Sequence, residues 1–355
     1  MKKILALALA CALAISVTAC GSGSSASTSS AAPATSSAPS GSSSAPAPTD
    51  NKTYELRVST NLAATSTVGQ ALAYFVEQIN AQSGGRIKAT ANYGSELGSQ
   101  SEQVAMALSG DLEMVVAAPG TGPGAFKGLE PLMMFEFPFL FKDNDHYRRV
   151  LKAAEPYVNE LSTTIGLTAM AGQSQGSRDI LTIKPVNSLA DMQDLVMRGP
   201  NAVYISMFEA LGAAGMTMDW NEIYTALSQN VVDGCEGSPS SLNASKFQDN
   251  AKYLAITNHI IACVYYFYNT EWYDSLPQDL QDLLRKVSEE AAAYQEQIDD
   301  ADQSKALQTM KDEGVTATEM TDIDAWKAAC APMLDEYRAK GANWSEFIDI
   351  LTAIQ

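Results

Sequence analysis

Apolar and polar positions change period several times along this chain, and each change marks an element. Tyr54 to Thr60 alternates, which predicts a strand, and Asn61 to Thr67 is a polar loop. Val68, Leu72, Phe75, Val76 and Ile79 then recur at helical spacing, and Gly84-Gly85 follows as a helix C-cap. Arg86 to Tyr93 is strand-like. Ser99 and Glu102 form a capping box for a helix through Leu108, and Leu112 to Ala118 is a buried strand. Strand and helix in strict alternation predict parallel βαβ units.

Residues 119–142 are Gly- and Pro-rich and then aromatic, with Phe135, Phe137, Phe139 and Phe141 fitting a strand or a packed loop. Tyr147, Val150, Leu151, Ala154, Val158 and Leu161 share one helical face. The pattern restarts at Gly166, with short strands at Leu167 to Ala171 and Leu181 to Ile183. A second unit repeats the theme. Met197-Arg198 ends a strand, Ala202 to Leu211 is a helix, Met216 to Met218 is a short strand, and Asn221 caps the helix that begins Glu222-Ile223-Tyr224. Tyr253 to Asn269 is strongly β-prone and crosses back toward the first unit.

The longest helix starts near Pro277. Leu280, Leu284, Val287, Ala291, Tyr294, Ile298 and Ala301 follow steps of four and three. Such a seam fits a coiled-coil dimer or a helix packed along both units; its two alanines and early end favour the second. Residues 315–320 read as one more strand, and Trp326, Met333, Tyr337 and Phe347 belong to closing helices.

The N-terminus stands outside this scheme. Lys2 and Lys3 precede an apolar run from Ile4 to Val17, too short to span a bilayer, and Val17-Thr18-Ala19-Cys20 follows. Residues 1–19 are expected to be a secretory signal. The four residues resemble a bacterial lipobox, which implies cleavage before Cys20 and a diacylglycerol anchor on its sulfur. Residues 21–49 contain only Gly, Ser, Ala, Thr and Pro. Residues 20–53 are expected to be a disordered tether spanning on the order of 30 Å.

Charge narrows the partners. The chain has 23 Lys and Arg against 41 Asp and Glu, a formal net charge of −18. That argues against nucleic acid and against electrostatic docking on anionic lipid. Beyond Cys20 only Cys235, Cys263 and Cys330 remain, with no Cys-x-x-Cys; three buried thiols or one bridge plus a free thiol both fit. There is no GxGxxG after the first strand, no Gly-Lys-Ser/Thr loop and no HExxH. His146 is expected at a solvent-facing helix start and His259 on a strand or hinge. No catalytic residue, metal or cofactor is expected.

Two arginines remain as candidates. Arg198 sits at the end of an apolar run, and Arg178 precedes it by 20 residues, at the crossing between the units. An arginine cannot shed its charge, and its planar fork matches a carboxylate with two parallel hydrogen bonds.

Five segments carry a resemblance: SGGRIKATANYGSELGSQSEQVAMALSGDLEMV (83–115), FPFLF (137–141), SLADMQDLVMRGP (188–200), NEIYTALSQNVVDGCEG (221–237) and KYLAITNH (252–259). In order and spacing the chain resembles the solute-binding subunits of tripartite ATP-independent periplasmic (TRAP) transporters. The resemblance implies a periplasmic-binding-protein-like α/β fold of two domains joined by a hinge, with a long helix spanning both. It places residues 54–177 with 264–305 in one domain and 178–263 with 306–355 in the other. It implies a cleft closing on one organic anion, with Arg198 as the carboxylate clamp and Arg178 as an auxiliary arginine. Glu236, Asn61, Phe139 and Trp220 are further candidates for the cleft. The implied partners are a small carboxylate-bearing anion and the small and large integral-membrane subunits of an ion-gradient-driven transporter, with the chain itself a monomer held to the outer face of the membrane. A lipoprotein feeding an ATP-driven importer is the alternative, and an extracellular hydrolase a more distant one. Where many members read Gly-Gln-Glu-Asn-Pro, this chain has Gly234-Cys235-Glu236-Gly237-Ser238, so a side-chain amide is missing at Gly237.

Overall fold

A computed structural model describes residues 52–354; the leader, Cys20 and nearly all of the tether lie outside the described residues. The first run is β1 (Tyr54–Ser59), α1 (Thr67–Gln82), β2 (Ile87–Asn92), α2 (Gln100–Ser109) and β3 (Met114–Ala117). β1 pairs in parallel with both β2 and β3, as the alternation of strand and helix predicts. The Ser66 hydroxyl accepts the Gly69 amide at the start of α1. On α2 the capping box forms: Glu102 N donates to Ser99 Oγ at 3.3 Å and Ser99 N to Glu102 Oε2 at 2.7 Å.

The aromatic segment is not a strand. Residues Glu130–Glu136 wind as 3₁₀ turns and bury Leu132, Met134 and Phe135. α3 (Asn144–Thr163) follows, capped by Asp143. His146, expected to face solvent, is buried instead. The Lys142 amide donates to its Nδ1, and its Nε2 lies 2.9 Å from the carbonyl of Ile354, 208 residues away in sequence. No local pattern shows cover that arrives from the far end of the chain.

The two short strands expected after Gly166 are one, β4 (Leu167–Thr182). The interruption in its sequence, Gln173 to Ser177, is polar yet largely buried, so hydrophobic alternation fails there. The second unit comprises β5 (Val196–Gly199), α4 (Ala202–Ala210), β6 (Ala214–Thr217), α5 (Ile223–Ser228), β7 (Gly234–Gly237) and α6 (Pro239–Ala244). Asn221 does not cap a helix. It lies within a 3₁₀ turn, Trp220–Glu222, entered at Asp219, whose amide donates to Glu222 Oε2 at 3.1 Å. β8 (Tyr253–Asn269) is the strand the composition predicts. After it come α7 (Thr270–Asp274), α8 (Gln278–Asp312), β9 (Thr316–Glu319), α9 (Ile323–Cys330), α10 (Met333–Arg338) and α11 (Ala342–Ala353).

One sheet runs β2-β1-β3-β8-β4-β7-β5-β6, with β9 also on β8. The antiparallel β4–β8 pair is its spine. One end of β8 takes β3, through Tyr265–Tyr268, while the other end takes β9, and β7 joins β4 at Asp179–Thr182. The two lobes therefore share two long strands. The pairing of those strands slips three times, between Met170 and Gln173, Ser174 and Ser177, and Arg178 and Ile180. Such bulges bend and twist a ladder locally. At the last one, Asp179 Oδ1 accepts the amides of both Thr257 and Asn258, at 2.9 and 3.0 Å.

α8 lies across this bent region. Leu280, Leu284, Val287 and Ala291 are buried, but the seam does not continue through Tyr294, Ile298 and Ala301: the buried face passes to Ala292, Gln295 and Asp299. A straight helix drifts about 20° per heptad from a 3.5-residue seam, so the later seam positions turn outward. Polar residues of the later turns bind β4 and the start of α1. Gln295 donates to the Ser174 carbonyl, Gln303 to that of Gln175, and Asp299 accepts from Thr67 Oγ1. The apolar half of the seam is thus used within the chain.

The closing helices cover both lobes. Phe347 packs on Phe135 and stacks on Tyr157, Tyr337 packs edge-on to Phe137, and its hydroxyl meets Ser206 of α4 at 3.2 Å. Cys235, Cys263 and Cys330 are buried free thiols.

Buried carboxyls make stability depend on pH. Burial pushes Asp179 and Glu136 up to about 7 and Asp299 up to about 6, against roughly 4 in an unfolded chain. Between those values the folded chain holds more protons than the unfolded one, so stability is lost as pH rises through 6 to 7. The melting temperature is expected to be higher at about pH 5.5 than at about pH 8, and Asp179→Asn to flatten that difference. A scanning-fluorimetry series in which wild type melts at the same or a higher temperature at the alkaline end refutes this.

Candidate functional site

The residues Met197 to Asn201 build one wall of a cleft. Arg198 is the buried end of β5. Gly199 permits close approach of α4: a Cβ there would lie 2.7 Å from Tyr204 Cβ. Asn201 caps α4, its Oδ1 accepting the Val203 amide at 3.0 Å. Strand end, glycine and cap together turn the chain so that Arg198 and Tyr204 face the same space.

About 560 Å³ of unfilled space lies here, part of it open to solvent. Arg178 comes from β4, Arg198 from β5, Tyr204 from α4, Trp220 from the 3₁₀ turn, Asn61 from the loop after β1, and Glu136 from the aromatic segment. Both lobes contribute. Of the residues expected from sequence, Arg198, Arg178, Asn61 and Trp220 line it together, and Glu236 lies directly behind the arginines. Phe139 does not join them. Its amide donates to the His259 carbonyl at 2.7 Å, and its ring faces a different hollow with Ile256, Asn258 and Glu319.

The arginines divide their work unequally. Arg178 binds both carboxylate oxygens of Glu236, through Nε to Oε2 and Nη2 to Oε1, and also donates to the Glu236 carbonyl. Arg198 Nη1 is 3.6 Å from Glu236 Oε1, and its Nε donates to the Met218 carbonyl at 2.8 Å. Glu236 is fully enclosed, and Arg198 is only 3% exposed. Burial opposes every charge here. Glu236 is nevertheless held below its ordinary value, because Arg178 outweighs the burial. For Arg178 the charge of Glu236 likewise overcomes burial and raises its pKa. Arg198 shifts the other way: burial lowers its pKa, and the more distant Glu236 does not compensate. Two fixed positive charges thus share one well-bound negative charge.

Trp220 roofs the pair. Its ring centroid is 5.6 Å from the Arg198 guanidinium carbon and 5.9 Å from that of Arg178, within cation–π range. Its Nε1 donates to Ser245 Oγ at 3.0 Å. At Gly237 an added Cβ would lie 3.1 Å from the Trp220 ring and 2.9 Å from Leu242. The indole therefore occupies space that a side chain at 237 would need.

Sequence reasoning missed Glu136, Tyr204, Gln100, Thr121 and Gln175 on the cavity wall. Glu136 carried a readable signal, as the lone acid inside the aromatic run Phe135 to Phe141. Among the described residues there is no group of three or more His, Cys, Asp or Glu placed to hold a metal ion.

A hinged α/β protein of two lobes, with basic side chains buried between them, is the architecture of a periplasmic solute-binding protein. This chain belongs to the TRAP solute-binding family: residues 58–340 match bacterial extracellular solute-binding protein, family 7. It is 28% identical over 287 residues to a C4-dicarboxylate-binding periplasmic protein of Rhodobacter capsulatus, covering 79% of this chain and 85% of that one. It is 28% identical over 274 residues to a 2,3-diketo-L-gulonate-binding periplasmic protein of Escherichia coli, covering 76% and 81%. A TRAP solute-binding protein from Pseudomonas putida, solved with D-glucuronate bound, matches with a TM-score of 0.78 at 27% identity, covering 85% of this chain and 98% of that one. One from Shewanella oneidensis, solved with succinate, shares the fold with a TM-score of 0.79 at 19% identity, over 85% and 99%. Family members are extracytoplasmic solute-binding proteins rather than enzymes.

The unequal division has a measurable consequence. Removing one partner of a buried ion pair leaves the other charge uncompensated, at a cost of about 3–5 kcal/mol. Arg178→Met should lose stability on that scale, and Arg198→Met clearly less. Equal losses in urea denaturation would contradict the assignment of Glu236 to Arg178.

Proposed function

We propose that this protein captures a carboxylate-bearing organic anion between its lobes and that Arg198 is the clamp. One observation carries the reading: Arg198 is buried at the cavity wall while the neighbouring carboxylate, Glu236, is held by Arg178 in a two-point pair. An incoming carboxylate would supply the negative charge that Arg198 lacks, in a setting where water cannot compete. The relatives and similar structures named above are associated with acids of this type. Arg178 and Glu236 orient the clamp, Trp220 roofs it, and Asn61 approaches from the opposite lobe. Phe139 supports the hinge through its backbone and does not meet the ligand.

The remainder of the proposal concerns delivery. Residues 54–177 with 264–305 act as one lobe and 178–263 with 306–355 as the other, closing about the β4–β8 bulges. The closed form hands the anion, as a monomer, to the small and large membrane subunits of an ion-gradient-driven transporter. A ligand favours closure only by binding the closed form more tightly. Residues 1–19 direct export, and lipid on Cys20 holds the domain at the outer face of the membrane through the 20–53 tether. With Cys20→Ser the protein should leave the membrane fraction for the soluble one; retention after that change would refute the anchor.

Calorimetry with D-glucuronate, D-galacturonate and succinate tests the clamp. Losing one partner of a buried charge pair costs about 2–5 kcal/mol, so Arg198→Ala should weaken the bound acid by roughly 30-fold or more. Arg198→Lys should not restore it, because a point charge lacks the fork. Wild-type affinity in a folded Arg198→Ala protein would end the assignment.

A further inference from the structure

Glu136 lines the same cavity and is 2% exposed. It closes the 3₁₀ segment Glu130–Glu136, and its carboxylate presses on the backbone at Gly120, where a Cβ would come within 2.7 Å of Oε2. The Asn201 amide donates to that same oxygen and lies 3.4 Å from Thr121 Oγ1. Neither cavity arginine is within ion-pair distance of Glu136; Arg178 is paired with Glu236, and Arg198 lies at 3.6 Å from the same carboxylate. The charged and titratable groups around it are Arg178 of β4, Arg198 of β5, Glu236 of β7, Tyr204 of α4, Tyr147 of α3, Cys263 of β8 and, also lining the cavity, Asp219. Burial pushes its carboxyl up to about 7, against the Asn201 hydrogen bond and Arg178.

The charges can be counted. With Glu136 ionised, two arginines face two buried glutamates and cancel. With Glu136 protonated, the two arginines and Glu236 leave one positive charge; Asp219 is exposed on the cavity rim, where solvent screens it. A second negative charge has no partner in either state.

Resting on Arg198 as the clamp, we propose that Glu136 sets the charge of the accepted solute: the cleft takes a singly charged, hydroxylated carboxylate together with one proton, and disfavours a dianion. The solute's carboxylate lies on Arg198. The proton comes from solvent and converts the Glu136 carboxylate to a carboxyl, which then hydrogen-bonds a hydroxyl or carbonyl oxygen of the solute. A bound anion raises the Glu136 pKa further, so the complex holds more protons than the free protein. Affinity therefore falls as pH rises above the free-state value near 7 and is flat well below it.

The test is calorimetry on the chain from Cys20 onward, from about pH 6 to pH 8.5, in buffers of different ionisation enthalpy. The probes are D-glucuronate and D-galacturonate as monoanions and succinate as a dianion. Wild type is expected to take up close to one proton near pH 8, to weaken for the uronates by about tenfold between pH 7 and 8.5, and to prefer a uronate over succinate by about tenfold or more. Glu136→Gln, a neutral mimic of the protonated carboxyl, should bind the uronates without proton uptake or pH slope and keep the preference for a uronate over succinate. Wild-type binding without proton uptake, a preference for succinate near neutral pH, or an unchanged slope in folded Glu136→Gln overturns the proposal. The proton count needs no variant, so it stands even if Glu136→Gln misfolds. If folded wild type binds none of these acids, the carboxylate reading itself falls and this one with it.

Discussion

The buried pair between Arg178 and Glu236 is the constraint around which the cleft is arranged. It ties β4 to β7 through side chains as well as backbone, with Arg178 reaching both carboxylate oxygens and the main-chain carbonyl. Two charges taken out of water are stable only when each satisfies the other in good geometry. Because this pair is so nearly complete in itself, the second arginine is left short of compensation. In the proposed clamp, affinity for an anion would therefore come from an internal balance of charge, not from Arg198 alone.

The same strand couples this electrostatics to the hinge. Arg178 and Asp179 are consecutive, and they point to different tasks. Arg178 faces the cleft, while Asp179 accepts two adjacent amides where the β4–β8 ladder slips. α8 then covers the bent strands with polar contacts from Gln295 and Gln303, in place of the leucines and valine it uses earlier. Directional bonds to backbone carbonyls hold the helix on the hinge with less buried apolar surface than close packing would provide.

Much of this was legible in the sequence, for local reasons. The capping box at Ser99 and Glu102, the parallel strands β1 to β3, the whole of β8 and the carriage of Arg198 at a strand end all follow from spacing within a few residues. What escaped depended on distant partners. β4 was read as two pieces because Gln173 to Ser177 are buried by α8 and β8 rather than by apolar neighbours. His146 looked solvent-facing because its cover comes from the C-terminus. Asn221 has the side chain of a cap, but the turn starts two residues earlier, at Asp219. Glu136 carries no cation signal, although an acid among four phenylalanines is costly enough to need a reason. Phe139 was drawn to the cleft by its motif, yet its positive backbone φ and its bond to His259 place it at the back of the hinge.

Trp220 and Gly237 constrain each other. The large residue and the missing one fill the same volume, so neither is free to change by itself. A side chain at 237 would need both Leu242 and the indole to give way, and a smaller residue at 220 would remove the ring that covers both arginines. The two positions are therefore energetically coupled, and the effect of a change at one depends on the residue at the other.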